Sequence, residues 1–216
     1  MSFPLTRLAE AIKEAKEKCK PRRFTQSVEL IVTFRDLDVK KPENRLNLTV
    51  VLPHPPKNKI PKVAVIASGD LALKAKEAGA DLVIDRDELA KIASDKKQVK
   101  KIASEYDFFF AQADMMPLVG RFLGRYLGPR GKMPTPIPPT ADISAFIERA
   151  RKSIRLRMRN QPQVMCRIGS EEQSSEEIVR NAEEVLNAIT KRIDPRHISK
   201  VYIKLTMGPV VEVKRR

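Results

Sequence analysis

The sequence predicts an α/β protein of two domains. A split α+β domain, an antiparallel sheet backed by two helices, is formed by both termini, and a parallel α/β domain is inserted into it. Near both ends, apolar and polar residues alternate with a period of two, which is typical of half-buried strands. In the middle, short apolar runs take turns with helical segments, as in parallel α/β units. Between these parts, residues 53–61 contain four prolines, which predict a stiff connector.

The first part of the chain provides one helix and two strands. Apolar positions three and four residues apart predict an amphipathic helix over residues 4–19. After the break at Pro21, alternation predicts a strand over residues 28–34. A polar loop, residues 36–45, leads to a second alternating strand over residues 46–52.

The middle of the chain alternates strand and helix. Residues 63–67 form a continuous apolar run, which predicts a strand covered on both faces. Further short strands are predicted at 82–84 and 108–111, followed later by a Gly/Pro-rich loop at 128–139. Helices are predicted at 71–78, 88–93, 96–104, 117–127 and, capped by Asp142, up to about residue 152.

The last third returns to the alternating pattern, with strands predicted around 154–158, 164–168 and 201–205. Ser174 and Glu177 form a capping box that opens a helix reaching about residue 192. Neither end segment alone has enough strands and helix surface for its own core. The predicted division is therefore a discontinuous domain of residues 1–60 and 154–216 around an inserted domain of residues 61–153.

The net charge points to a polyanionic partner. The 216 residues carry a formal charge of +15, and the isoelectric point is about 10.0. Neutralising phosphates releases counterions and gives affinity without base reading. Only 5% of the residues are aromatic and Trp is absent, so base stacking is not the expected main mode. Because most of the excess charge lies in the two end segments, the discontinuous domain is the predicted RNA-binding domain.

Strand alternation also predicts which side chains share a face. If the apolar residues of the end strands face the helices, the opposite face is rich in Arg and Lys with hydroxyls between them. Guanidinium groups fit phosphate, and hydroxyls can contact phosphate or ribose. An ordinary solvated face is the alternative, but Glu29 is the one acidic residue in the set. The predicted face comprises Ser27, Glu29, Thr33, Thr49, Arg155, Arg157, Arg159, Met165, Arg167, Lys200, Tyr202, Lys204 and Thr206.

Catalytic and metal sites are not supported. Cys19 and Cys166 lie far apart and form no C-x-x-C pair, and His54 and His197 have no partner at a recognisable spacing. The apolar strand at 63–67 followed by Gly69 invites a nucleotide-binding interpretation, but the G-x-G-x-x-G fingerprint is absent. We expect no enzyme, cofactor or metal. The alternative function is a nucleotide-dependent enzyme that uses the inserted domain.

The sequence contains neither an apolar run near the roughly 18 residues that a membrane span needs nor a signal-peptide pattern at its start. Two cysteines make no disulfide framework, which fits a reducing compartment. We therefore expect a soluble, cytoplasmic protein.

Four motifs carry a family resemblance over the whole chain. They are Phe-Thr-Gln-Ser-Val-Glu-Leu at 24–30, Leu-Pro-His at 52–54, Gly-Pro-Arg-Gly-Lys-Met-Pro at 128–134 and Thr-Met-Gly-Pro at 206–209. Together and in this order they resemble the ribosomal protein L-one family. The Lys-Pro-Glu-Asn-Arg loop at 41–45 and the short N-terminus are similar to its archaeal branch.

The resemblance implies a Rossmann-like inserted domain without a nucleotide and a non-catalytic role on the ribosome. The split domain would bind large-subunit ribosomal RNA in the mobile stalk, and the protein would assist release of deacylated tRNA from the exit site. It would also bind its own mRNA and repress translation, and it would be a monomer when free of RNA.

The resemblance and the face together predict the RNA-binding residues. The motifs match at Phe24, Ser27, Glu29, Thr206, Met207 and Gly208. The nearby strands add Thr49, Arg159, Met165, Arg167 and Lys204. A second RNA contact is predicted in the acid-free segment 115–141, at Arg121, Arg125, Arg130 and Lys132.

Each residue of the Thr206–Met207–Gly208 segment suits an RNA site. Gly208 would let the backbone approach RNA closely, Thr206 would offer a hydroxyl, and Met207 would pack on a sugar or base. A Gly-Pro turn that simply ends a strand is the alternative.

Overall fold

The computed structural model describes residues 4–41 and 44–214, so Pro42 and Glu43 of the predicted archaeal-type loop lie outside the described residues. Contacts between residues divide the chain into two compact units. Unit 1 comprises Met1–Ile60 and Lys152–Arg216, and unit 2 comprises Pro61–Arg151. Lys152 and Ser153 fall in unit 1 because the Lys152 carbonyl accepts a hydrogen bond from Leu52 N (2.8 Å) and the next strand begins at Ser153.

The helices and strands follow in chain order. They are α1 (Leu5–Glu17), β1 (Ser27–Phe34), β2 (Asn47–Val51), β3 (Val63–Ile66), α2 (Asp70–Glu77), β4 (Leu82–Ile84), α3 (Arg86–Ser94), α4 (Lys96–Glu105), β5 (Phe108–Gln112), α5 (Met116–Leu127), β6 (Thr135–Ile137), α6 (Ile143–Arg151), β7 (Ser153–Arg157), β8 (Gln163–Ser170), α7 (Ser175–Thr190), β9 (Ile198–Leu205) and β10 (Val211–Glu212).

The main sheet of unit 1 has four antiparallel strands in the order β10-β9-β1-β8. Alternate residues of β1 are buried, beginning with Val28, and they pack against α1 and α7 in one apolar core. The predicted capping box opens α7: Ser174 Oγ accepts from Glu177 N, and Glu177 Oε2 accepts from Ser174 N, both at 3.2 Å. The alternating pattern and the two backing helices are thus confirmed.

The predicted single sheet is corrected in one respect. β2 does not join β1 but pairs with β7 in a separate two-stranded antiparallel ladder, with Leu48 opposite Leu156. The physical reason is that both edges of β1 are already occupied, by β8 and by β9. The short strand β10, which was not predicted, extends the main sheet beyond β9.

Unit 2 contains a parallel sheet in the order β4-β3-β5-β6, as the Rossmann-like prediction requires. Ala64 and Ile66 of β3 face a core that includes residues of α3, α4 and α5, whereas Val63 and Val65 face a core that includes α2 and α6. This two-sided burial explains the continuous apolar run. Inside the predicted loop, the structure forms β6, where Pro136 is tolerated because β6 is the edge strand.

The proline-rich connector is anchored to unit 1 before it leaves. The buried Asn181 side chain accepts from His54 N (2.9 Å) and donates to His54 O (2.6 Å) and to Ile168 O (2.7 Å). Gln173 Nε2 donates to the same His54 carbonyl (3.0 Å), and the Arg167 guanidinium donates to Lys59 O. These bonds fix the path of the connector against β8 and α7.

Candidate nucleic-acid interface

The outer face of the main sheet is organised in rows that run across β8, β1 and β9. Glu29 lies between Arg167 and Lys204 in the antiparallel register. Three of the predicted binding residues therefore meet in one row of alternating charge, in which two cations flank one carboxylate. Each of the three side chains is partly exposed. The Arg167 guanidinium also holds the connector at Lys59 O, so it serves the fold as well as the face.

The neighbouring rows are apolar and then polar. Ile31 lies between Met165 and Tyr202, and the next row contains Thr33 opposite Lys200. Met165 is 59% exposed, which is unusual for a residue in mid-strand and leaves it available to a partner. The predicted face contains no acidic partner for Lys200, but in the structure its Nζ forms an ion pair with Glu212 Oε2 of β10 at 3.0 Å.

A turn follows β9 and carries the Thr-Met-Gly motif. The Thr206 hydroxyl accepts from Ser27 N (3.1 Å) and donates to Ser27 O (3.3 Å), which closes β9 onto the start of β1. Its predicted role as a hydroxyl for RNA is thereby reduced to one remaining lone pair. Met207, by contrast, is 58% exposed. Thr206 therefore fixes the turn that presents Met207.

Gly208 packs closely against other parts of the protein. A Cβ at this position would lie 3.1 Å from Cys19 Sγ and 3.3 Å from Leu205 Cβ. Gly208 N donates to Leu205 O at 2.9 Å. The close approach that we predicted for RNA is thus made in the structure to the end of α1 and to β9, through Cys19 and Leu205.

One buried glutamine holds this turn in place. Gln26 is 1% exposed, and its Oε1 accepts from Met207 N at 3.1 Å. Its Nε2 donates to Glu171 Oε2 (3.3 Å) and reaches Lys20 O (3.5 Å), while Gln26 N donates to Glu171 Oε1 (2.9 Å). Gln26 therefore joins the Met207 turn to the end of β8 and to the segment after α1.

Two exposed apolar side chains flank this glutamine. Phe24 lies two residues before Gln26 and is 51% exposed, and Met207 is bonded to Gln26 through its backbone. Exposed large apolar groups above a hydrogen-bonded frame are suited to packing on unstacked bases or sugars. Phe24, Met207 and the row around Glu29 make up what we call the β1 edge site.

The remaining predicted residues of unit 1 lie on the two-stranded ladder and beyond it. Thr49 is paired with Arg155 between β2 and β7, not on the main sheet. Arg157 and Arg159 nevertheless line a shallow groove together with Gln163 and Met165 of β8. Burial, and then the positive charge of Arg159, lower the pKa of Arg157. An anion in this groove would relieve that repulsion.

The predicted second contact is not a single cluster. Arg121 and Arg125 are exposed on α5. Arg130 donates to Ser104 Oγ at 2.7 Å, at the end of α4. Lys132 is largely buried, and its Nζ donates to Tyr106 O (2.5 Å) and lies 4.0 Å from Asp107 Oδ1, which gives it a structural role.

Comparison with known proteins decides the family. The sequence model of the Ribosomal protein L1p/L10e family matches residues 12–209. The chain belongs to the ribosomal protein L1p/L10e family. It is 63% identical over 209 residues to the large ribosomal subunit protein uL1 of Thermofilum pendens. The aligned region covers 96% of this chain and 93% of the Thermofilum protein. Two further relatives are similar over nearly their whole length. The uL1 protein of Thermococcus kodakarensis is 48% identical over 218 residues, and the aligned region covers all of both chains. The uL1 protein of Pyrobaculum islandicum is 51% identical over 205 residues, which are 94% of this chain and 91% of that protein.

Family membership confirms the predicted resemblance and the non-enzymatic, ribosomal role. The similar uL1 proteins come from archaea, which agrees with the predicted similarity to the archaeal branch. The nucleotide-dependent alternative is thereby set aside, and Gly69, with a φ of +61°, stands as the single glycine before α2. Among residues 4–41 and 44–214, no helix is long and apolar enough to cross a membrane, and no group of three or more potential metal ligands is found.

In this L1-family chain, sequence reasoning missed Gln26 and Asn181. Both carried a signal, because each is a polar residue at an inward position of an apolar pattern. Gln26 continues the buried series of β1 toward its N-terminal side, and Asn181 stands beside Ala182 on the buried face of α7. A buried polar side chain needs partners, so such a position indicates a tie between elements.

Proposed function

We propose that this chain, a structural constituent of the ribosome, binds the large-subunit ribosomal RNA of the mobile stalk through the β1 edge site. One observation carries the proposal: Met207 is exposed three residues after Lys204 of the mixed-charge row, on a turn whose backbone Gln26 holds, and Phe24 is exposed two residues before Gln26. Cations position a phosphate backbone, and fixed apolar groups favour one RNA shape over another. The sheet face therefore supplies both affinity and discrimination.

Two further roles follow from the family resemblance. We propose that the protein assists release of deacylated tRNA from the exit site, and that it represses translation by binding its own mRNA. The second role needs no additional surface, because an mRNA that folds like the stalk RNA would occupy the β1 edge site. In that case the mRNA leader and the stalk fragment compete for the protein at a stoichiometry of one RNA per chain.

Met207→Ala tests the site. We expect it to weaken binding to a stalk RNA fragment about tenfold or more, and to leave binding to a scrambled RNA nearly unchanged, because it removes an apolar contact and no charge. Affinity is measured for both RNAs across a salt series, and the slope of log affinity against log salt stays at its wild-type value.

Leu73→Ala is the matched control, since Leu73 is also apolar and 60% exposed but lies on α2. It should bind both RNAs as the wild type does. If wild type itself binds the stalk and scrambled RNAs equally, with a slope of about −0.7 to −0.9 per phosphate, charge alone acts and the proposed site is wrong.

A further inference from the structure

Helix α4 in unit 2 presents lysines on its solvent side. Val99 and Ala103 are buried, while Lys96, Lys97, Lys100 and Lys101 are all exposed. With 3.6 residues per turn, these lysines and Ser104 lie within one continuous arc of about 140° that adjoins the buried stripe. Four of the nine basic residues of segment 61–114 therefore lie on two turns of one helix. The segment as a whole is nearly neutral, because it also holds ten acidic residues.

The acidic groups near this face are occupied elsewhere. Glu105 pairs with Lys62 at 2.7 Å, and Asp95 caps the helix by accepting from Lys97 N at 2.8 Å. Within the described part of the chain, none of the four lysines forms an ion pair of 4.0 Å or less. Glu105 is also close enough to Lys101 for an electrostatic attraction, but the lysine charges repel one another and attract solvent counterions, which a bound polyanion would release.

Arg130 extends the face. Its Nη1 donates to Ser104 Oγ at 2.7 Å, and Ser104 follows Lys100 and Lys101 on the same side of α4. The loop after α5 thus contributes a fifth cation to the lysine face. We define the α4 surface as Lys96, Lys97, Lys100, Lys101 and Arg130.

Helices α2 and α3 of unit 2 are not built in this way. The exposed residues of α2 mix signs, with Asp70 and Glu77 beside Lys74 and Lys76, and α3 has Asp87 and Glu88 in its first turn. Mixed signs are typical of a solvated face, whereas a face of one sign is costly unless a partner neutralises it. The contrast with α2 and α3 distinguishes α4, and its four lysines also outnumber the two exposed cations of α5, Arg121 and Arg125.

We propose that the α4 surface is a second RNA-binding surface, which contacts the phosphate backbone without reading bases. Lysine is a hydrated point charge that suits phosphate and offers no base specificity by itself. A protein partner is disfavoured, because α4 contributes none of the exposed large apolar residues that an interface core needs. The surface thus adds affinity, while the β1 edge site adds discrimination.

The double variant Lys97→Gln/Lys101→Gln tests this inference. The probes are the stalk fragment and a scrambled RNA duplex of equal length. We expect the slope of log affinity against log salt to become less steep by about 1.8, because roughly 0.9 is lost for each phosphate contact on duplex RNA, taken as similar to duplex DNA. Affinity for both probes falls by a similar factor, so the discrimination between them stays at the wild-type ratio.

Lys74→Gln/Lys76→Gln on α2 is the matched control, with the same charge change in the same unit. Both pairs are exposed, so circular dichroism and thermal unfolding should be unchanged. The inference is overturned if the α4 variant has the wild-type slope or behaves like the α2 control. Failure of the β1 edge site is a separate result, because it appears as a loss of discrimination with an unchanged slope.

Discussion

Gln26→Glu is expected to weaken binding to the stalk RNA about tenfold or more, although residue 26 is 1% exposed and cannot itself contact RNA. The substitution replaces Nε2, which donates to Glu171 Oε2 at 3.3 Å, by a second carboxylate oxygen. Two carboxylates at this distance in a buried site repel each other strongly. The side chain must leave the network, and Met207 N loses its acceptor.

A compensating change should restore the site. In Gln26→Glu/Glu171→Gln the amide and the carboxylate exchange places, so the carboxylate at position 26 still accepts from Met207 N and also accepts from the new amide at position 171. The net charge equals that of the wild type, which removes long-range repulsion of RNA as an explanation. We expect the double variant to recover most of the lost affinity, and Glu171→Gln alone to change it less than about threefold.

The pH dependence provides an independent readout. In Gln26→Glu the neighbouring carboxylate raises the pKa of one member of the pair. The defect is therefore fully present above that raised pKa and diminishes as the pH falls and a proton is bound. In the absence of RNA, amide hydrogen exchange at Met207 should be faster in the single variant than in the wild type, and it should return to the wild-type rate in the double variant. If the double variant binds no better than the single one, the Gln26–Glu171 contact does not position the turn.

Asn181→Leu is expected to give the largest loss of stability. Leucine has a similar volume, but it leaves His54 N and Ile168 O without the hydrogen bonds that Asn181 supplies at 2.9 and 2.7 Å. Leaving one buried and one partly buried polar group unsatisfied costs about 3 kcal/mol in total. Because only unit 1 is affected, that lowers the melting temperature of the unit 1 transition by roughly 10 °C.

Asn187→Leu is the control, because Asn187 lies on the same helix and is exposed. Its effect should stay within about 0.5 kcal/mol. Calorimetry is the suitable measurement, since the two units can unfold in separate transitions. Asn181→Leu should shift one transition and leave the other in place. An equal shift by both variants would mean that the Asn181 bonds do not stabilise unit 1.

Periodicity was sufficient to predict most of the fold. The buried series of β1, the continuous run of β3 and the capping box at Ser174 each act through nearest neighbours in the chain, so the sequence displays them directly. Strand pairing depends instead on which edges are free. For this reason alternation alone places β2 in the wrong sheet, and the Gly/Pro-rich composition predicts a loop where β6, which contains Pro136, forms.

The sequence predicts where the residues of the candidate site lie better than it predicts what each of them does. Exposed Phe24, Met165 and Met207 follow from alternation and from the motifs. The roles of Thr206 and Gly208 depend on Ser27 and Cys19, which lie some 180 residues away in the chain, so no local pattern reveals them. Lys132 could likewise be counted as a cation from sequence, but only its bond to Tyr106 O shows that it is committed to the fold.

The central proposal, that folded RNA lies on the β8-β1-β9 face and the adjoining turn, is tested most directly by NMR. The full-length, isotope-labelled chain is titrated with the stalk fragment, and the amide resonances that shift are mapped. The account predicts that the largest shifts cluster at Phe24, Glu29, Met165, Lys204 and Met207, with smaller shifts on α4. Large shifts confined to other surfaces of unit 1, with the β1 edge site unperturbed, would contradict it.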